Sequence, residues 1–166
     1  MLEDRRKKGN DIGTARVDIT NVEQVHLEAR SEGFNITIDE PPNMGGTDKG
    51  LHPTGYFLVG VASIFLTQLS RVVIIRNLKI DNLGIVATEH HDRVTRRFTD
   101  IAFDITLTGS ENKDTVIELL HEAQNRCFAH QSLKGVIPLT SNLNYNGTLL
   151  VSHTLGPESI SSKSAV

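Results

Sequence analysis

The sequence predicts an α+β fold, and three observations carry that reading. Apolar residues alternate in separate stretches on both sides of one long apolar segment. A second segment has helical spacing, and an Asn-Gly pair joins two short apolar runs near the end. At 166 residues the chain suits one domain, or one half of an intertwined dimer, at ~100–200 residues per domain.

Taken in order, Val25, Leu27 and Ala29 alternate with His26, Glu28 and Arg30, the period of a half-buried strand. A turn at Ser31-Glu32-Gly33 leads to the same alternation in Phe34, Ile36 and Ile38, which predicts an antiparallel hairpin. Arg16 to Ile19 offers a further strand before it. Glu40 to Gly50 is rich in Pro and Gly and reads as a long loop, ordered only where the tertiary fold holds it.

Pro53 suits the first turn of a helix, where its missing N–H costs nothing. The residues that follow are apolar nearly all round as far as Thr67, which predicts a helix buried on every side. Gly60 inside it costs roughly 1 kcal/mol relative to Ala, so close packing against another backbone is expected there.

Two more strands are expected at Leu83-Ile85-Ala87 and Ile101-Phe103-Ile105-Leu107, with Glu89 to Arg97 as a charged turn between them. Asn112 can cap a second helix running through Arg126. On that helix Val116, Leu120, Ala123 and Cys127 share one face, so the cysteine ends a buried stripe. Asn146-Gly147 between Leu143–Tyr145 and Leu149–Val151 signals a type I′ hairpin. The chain is expected to form a single domain over 1–166, with flexible tails at about 1–13 and 156–166.

Composition closes several functional classes. Net charge is −3, so no diffuse basic field draws the chain to nucleic acid. One cysteine excludes an internal disulfide framework. Met1 to Asn10 has no apolar core of a signal peptide, and the longest apolar run, Tyr56 to Leu66, is 11 residues against the ~20 that span a bilayer. A cytoplasmic protein without a membrane partner is expected.

Most candidate constellations fail on spacing. Neighbouring histidines in Glu89-His90-His91-Asp92 point to opposite faces on extended chain and cannot easily share a metal. His121 and Cys127 diverge around the helix by about 240°, which weakens a zinc site with His130. Glu118, Glu122 and Arg126 follow one another by four and read as an ion-paired exposed face. Gly45 to Gly50 lacks the Gly-Lys-Ser/Thr ending of a phosphate-binding loop. No cofactor and no metal are expected.

The order of elements is more specific than any of these. A hairpin leads to Gly45-Gly46-x-Asp48-x-Gly50-x-x-Pro53, then to a helix containing Phe57-Leu58-Val59-Gly60-Val61-Ala62-Ser63, then to strands, and then to a helix closing as Glu122-Ala123-Gln124-Asn125-Arg126-Cys127. This resembles the OsmC/Ohr family, roughly from Val25 to Leu139. The resemblance implies an intertwined homodimer with antiparallel sheets wrapped around two buried central helices. It also implies, in active members, thiol-dependent reduction of organic hydroperoxides. A thiolate on the first helix attacks the O–O bond and becomes a sulfenic acid, which a second cysteine resolves as a disulfide. An Arg and a Glu hold the first sulfur as thiolate.

Only part of that apparatus carries over. Cys127 falls on the resolving position. Eleven residues beyond Pro53, where the family places its attacking cysteine, stands Ile64; a shift of one register would put Ser63 there, which cannot form a sulfenate. Thr54 occupies the position of the Glu, and both Arg16 and Arg30 qualify for the arginine. The resemblance therefore implies a protein without standard two-cysteine activity, binding a small apolar ligand in the dimer groove. Two alternatives stand beside it: a one-cysteine hydroperoxide reductase in which an external thiol recycles Cys127, and a structural or interaction protein in which Cys127 is core.

Overall fold

The computed structural model describes residues 13–157, so the expected flexible tails fall almost wholly outside the described residues. The chain divides between Phe57 and Leu58 into two compact units. One carries a three-stranded sheet and the other a four-stranded sheet.

In the N-terminal unit β1 (Asp18–Glu23), β2 (His26–Ser31) and β3 (Phe34–Ile38) pair antiparallel in that order. The expected hairpin is present, with Ala29 opposite Ile36 and Leu27 opposite Ile38. Its turn is left-handed at both central residues, Glu32 at φ 50° and Gly33 at φ 87°, the geometry that matches strand twist. The first strand starts two residues later than Arg16 and runs on to Glu23. The Arg16 guanidinium folds back onto Asp18, at 3.0 and 2.6 Å, ahead of the ladder.

Beyond β3 the loop is ordered by one carboxylate. Asp39 is 1% exposed. Its Oδ1 accepts the Glu40 N–H at 2.9 Å, and its Oδ2 accepts the Thr47 hydroxyl at 2.7 Å, the Thr47 N–H at 3.0 Å and the Lys49 N–H at 3.2 Å. These bonds fold the loop through a short 3-10 turn at Pro42–Met44. At Gly46 a Cβ would overlap the Glu40 carbonyl, so only glycine fits beneath the carboxylate. The loop then returns beside β3, where the Asp39 N–H donates to the Leu51 carbonyl at 3.3 Å. His52 stands just ahead of α1 (Pro53–Arg76), and its Nδ1 accepts the Gly55 N–H at 2.8 Å, satisfying one free donor of the first turn.

The C-terminal unit takes up α1 from Leu58 and continues with β4 (Ile80–Asp92), β5 (Arg97–Gly109), α2 (Lys113–Arg126), α3 (Phe128–Leu133), β6 (Leu139–Tyr145) and β7 (Thr148–Leu155). Strand order is β4-β5-β6-β7. The β4–β5 and β6–β7 pairs are antiparallel, whereas β5 and β6 run parallel. A parallel pair needs a crossover, and α2 and α3 supply it. The charged turn is shorter than expected: Glu89 to Asp92 belong to β4, and only residues 93–96 turn. Asn112 caps α2 as expected, its Oδ1 accepting the Thr115 N–H at 2.8 Å. Asn146 at φ 49° and Gly147 at φ 79° form the I′ turn of the last hairpin.

The helix expected to be buried all round buries one face only. Val61, Phe65, Gln68, Leu69 and Val72 are covered, at the three-and-four spacing of a single stripe. Val59, Ile64, Ile74 and Ile75 stay exposed. Gly60 meets no atom within 4 Å of a built Cβ, so the close packing expected there is absent from the single chain. The covered face packs on the four-stranded sheet, where Phe65 meets Phe103 of β5. By length and composition α1 would also suffice to cross a membrane, since the helix runs past Thr67 as far as Arg76.

Asp39 gives the first test. The Thr47 hydroxyl above all, with the N–H groups of Lys49, Thr47 and Glu40, holds its pKa down to about 2 against the opposing effect of burial. A lowered carboxylate pKa stabilises the fold above the ordinary value of 3.8 and loses that contribution as pH falls toward 2. Asp39→Asn turns an amide N–H₂ toward donors and should lower the melting temperature at pH 7. The deficit should shrink when both proteins are melted at pH 2.5.

Candidate functional site

Cys127 is the chain's only cysteine and is fully buried. It ends α2 and begins α3, a short helix beyond Arg126, where the sequence predicts the second helix to end and no further helix. Its N–H donates to the Gln124 carbonyl at 3.3 Å, and its carbonyl accepts the Gln131 N–H at 2.9 Å. Burial pushes the thiol pKa up, while the N–H groups of His130 and Ala129 pull it the other way. Burial is the larger effect, so at neutral pH the group is a thiol, and the thiolate is the nucleophile. A cysteine placed only at a helix C-terminus would lack those two donors; the start of α3 supplies them.

Three residues on, His130 is fully buried, and neither ring nitrogen has a hydrogen-bond partner among the described residues. Its ring lies 4.1 Å from that of Phe65 and 5.1 Å from that of Phe103. Phe65 and Phe103 meet edge to face at 5.3 Å. Burial alone pushes the His130 pKa down to about 4, so the imidazole is neutral among its aromatic neighbours. Cys-x-x-His was the available signal for this residue, but the spacing suggests a metal rather than an aromatic cage.

The same contact relates the two positions that the family resemblance singles out. Phe65 immediately follows Ile64 on α1, and His130 belongs to the short helix that Cys127 opens. Ile64 is 39% exposed, and Ser63 beside it is exposed, its hydroxyl donating to the Gly60 carbonyl at 3.1 Å. Thr54, Arg16 and Arg30 belong to the N-terminal unit, whereas Ile64 and Cys127 belong to the C-terminal one. The Thr54 hydroxyl lies 3.1 Å from His52 Nδ1 at the start of α1. Arg16 and Arg30 line one open depression of about 770 Å³, shared with Asp18, Glu32 and Phe34.

The other candidates resolve into separate contacts. His90 Nδ1 lies 2.8 Å from Asp100, which raises the His90 pKa, while His91 turns to Glu89 at 3.0 Å. Arg126 meets Glu122 at 3.0 Å, and Arg76 of α1 joins them by reaching Glu122 at 3.7 Å and Glu118 at 3.0 Å. His121 faces His153 of β7 and makes no cluster with Cys127 and His130. Among the described residues no group of three or more His, Cys, Asp or Glu is placed to hold a metal ion.

The family model for OsmC-like proteins matches residues 46–142, more than half of the chain. A hydroperoxide reductase from Mycoplasma pneumoniae is 29% identical over 137 residues, spanning 78% of this chain and 94% of the relative. The crystal structure of an OsmC-like protein from Mycoplasma pneumoniae superposes with a TM-score of 0.72 at 20% identity, over 80% of this chain and 97% of that one. An organic hydroperoxide resistance protein from Elizabethkingia anophelis superposes at 0.67 with 16% identity, over 81% and 98%.

The neutral His130 gives the second test. Its folded pKa of about 4 lies below the ordinary 6.5, so between those values the unfolded chain takes up a proton that the folded chain does not. Stability therefore falls as pH drops through that window. His130→Phe keeps the aromatic packing and removes the titration. From pH 7 to 4.5 the wild type should lose on the order of 2 kcal/mol more than the variant in urea unfolding. Equal losses would show an imidazole that is not held neutral.

Proposed function

The chain belongs to the OsmC-like protein family, and on that premise we propose that it is a cytoplasmic, homodimeric member that lacks two-cysteine hydroperoxide reductase chemistry and holds a small apolar ligand in the dimer groove. The observation that carries this reading is position 64. Reduction of a hydroperoxide by the family's route starts with a thiolate on the first helix, and an isoleucine there offers neither a nucleophile nor a sulfenic acid for Cys127 to resolve. Ile64 instead makes that stretch of helix more apolar, which suits a lipid-like or aromatic ligand.

The uncovered face of α1 supports the dimer. Ile64 and Ile75 lie three turns apart on that face, with Gly60 one turn before Ile64. Exposed branched residues around a glycine with open space above it suit the close approach of a second copy. Light scattering should give twice the chain mass. Ile64→Glu combined with Ile75→Glu should give a monomer that keeps its helical circular dichroism; an unchanged dimer would place the interface elsewhere.

A second reading is favoured by the N–H groups of His130 and Ala129 at Cys127. There the thiolate takes the distal oxygen of the hydroperoxide and releases an alcohol. Two equivalents of external thiol then return the sulfenic acid to thiol with loss of water. Reduced protein mixed with cumene hydroperoxide and dithiothreitol separates the two readings. The first expects no peroxide consumption above that of Cys127→Ser, whereas turnover abolished by that substitution would establish the second. Ile64→Cys tests the register: mild oxidation should join it to Cys127 within one chain, and two free thiols would refute the alignment.

A further inference from the structure

The register of the β6–β7 ladder places Ser141 opposite His153. In β6 the buried row is Leu139, Ser141, Leu143 and Tyr145, so a hydroxyl interrupts an otherwise apolar inner face. Gln124 of α2, itself 1% exposed, covers that hydroxyl, and its Nε2 donates to Ser141 Oγ at 3.1 Å. This orientation turns Gln124 Oε1 toward His153 Nδ1, 3.1 Å away. A carbonyl oxygen only accepts, so Nδ1 carries the proton and donates. His153 is thereby fixed in one tautomer, with the lone pair of Nε2 directed away from Gln124 and without a partner among the described residues.

One turn before Gln124 on α2, His121 meets this ring. The two ring centres are 4.9 Å apart with planes at 79°, and both residues are half-buried. No hydrogen bond occupies the His121 nitrogens among the described residues. Metal–nitrogen bonds of ~2.0–2.1 Å put ring centres about 3.2 Å from a bound ion, so two imidazoles on one tetrahedral or octahedral ion have centres about 4.5–5.2 Å apart. The observed spacing lies within that range.

We propose that His121 and His153 form a two-imidazole chelate for a borderline divalent transition metal, Zn²⁺ or its neighbours Cu²⁺ and Ni²⁺, with water in the remaining positions. Gln124 plays the part that an outer carbonyl or carboxylate plays at metal-bound histidines, holding the distal N–H so that the other nitrogen faces the ion. Burial first, and repulsion by His121 second, lower the His153 pKa, which keeps the ligand lone pair free at neutral pH. The other histidines are placed differently. His26, His90 and His91 each lie against a carboxylate, His52 Nδ1 accepts the Gly55 N–H, and His130 is sealed among aromatic rings. The site is separate from Cys127, and its occupancy does not depend on whether the chain reduces peroxides.

The test uses the whole chain, titrated with Zn²⁺ by calorimetry and by NMR of the histidine ring nitrogens. One ion per chain is expected, with the largest shifts at His121 and His153. His121→Gln and His153→Gln should each weaken binding at least about 10-fold, while a His90→Gln/His91→Gln double variant should bind as tightly as the wild type. The ring-nitrogen shifts locate the ion in the unmodified protein, so the answer does not depend on how the variants fold. Shifts confined to His90 and His91, absence of any shift, or undiminished binding by both single variants would overturn the proposal.

Discussion

The packing of Phe65 against Phe103 and His130 is the contact on which the C-terminal unit depends. It seats α1 on the inner face of β5 and ties the same helix to the short helix that Cys127 opens. Each buried aromatic ring of this size contributes about 1.5–3 kcal/mol through burial, with a further increment from edge-to-face geometry. Because Phe65 faces inward, the helix rotation is set, and Ile64 falls on the flank that the single chain leaves partly open. The exposure of Ile64 follows from this one choice of face.

Sequence patterning reached much of this arrangement because the pattern is local. The alternation in Val25–Ala29 and Phe34–Ile38, the Asn112 cap and the Asn146-Gly147 turn each depend on residues a few positions apart, and each formed. The parallel pairing of β5 with β6 was not legible, because it depends on how α2 and α3 cross over the sheet. The all-round apolarity of α1 predicts a helix buried on every side, yet the structure covers one face only, because apolar composition does not say which side the fold will cover. Asp39 escaped notice for a related reason: an isolated Asp beside a proline-rich loop looks solvated until the loop folds back and surrounds it with donors.

The candidate site was legible to the extent that residue types alone decide chemistry. The presence of Ile64 and the absence of a second cysteine are facts of sequence. The state of the remaining thiol is a fact of structure, since the start of α3 offers donors while burial opposes ionisation more strongly. His130 shows the limit of motif reading: the spacing of a metal ligand belongs to a neutral ring packed between two phenylalanines. His121 and His153 show the converse, a pairing across the fold that no spacing in the chain announces.

The sulfur of this OsmC-like chain is a sealed, protonated core group rather than an exposed nucleophile. The rate of Cys127 alkylation by iodoacetamide, compared between native protein at pH 8 and protein unfolded in urea at the same pH, tests it most directly. Native protein should react at least about 100-fold more slowly, limited by opening of the turn. A native rate equal to or above the unfolded rate would contradict it and would identify an accessible, activated thiolate.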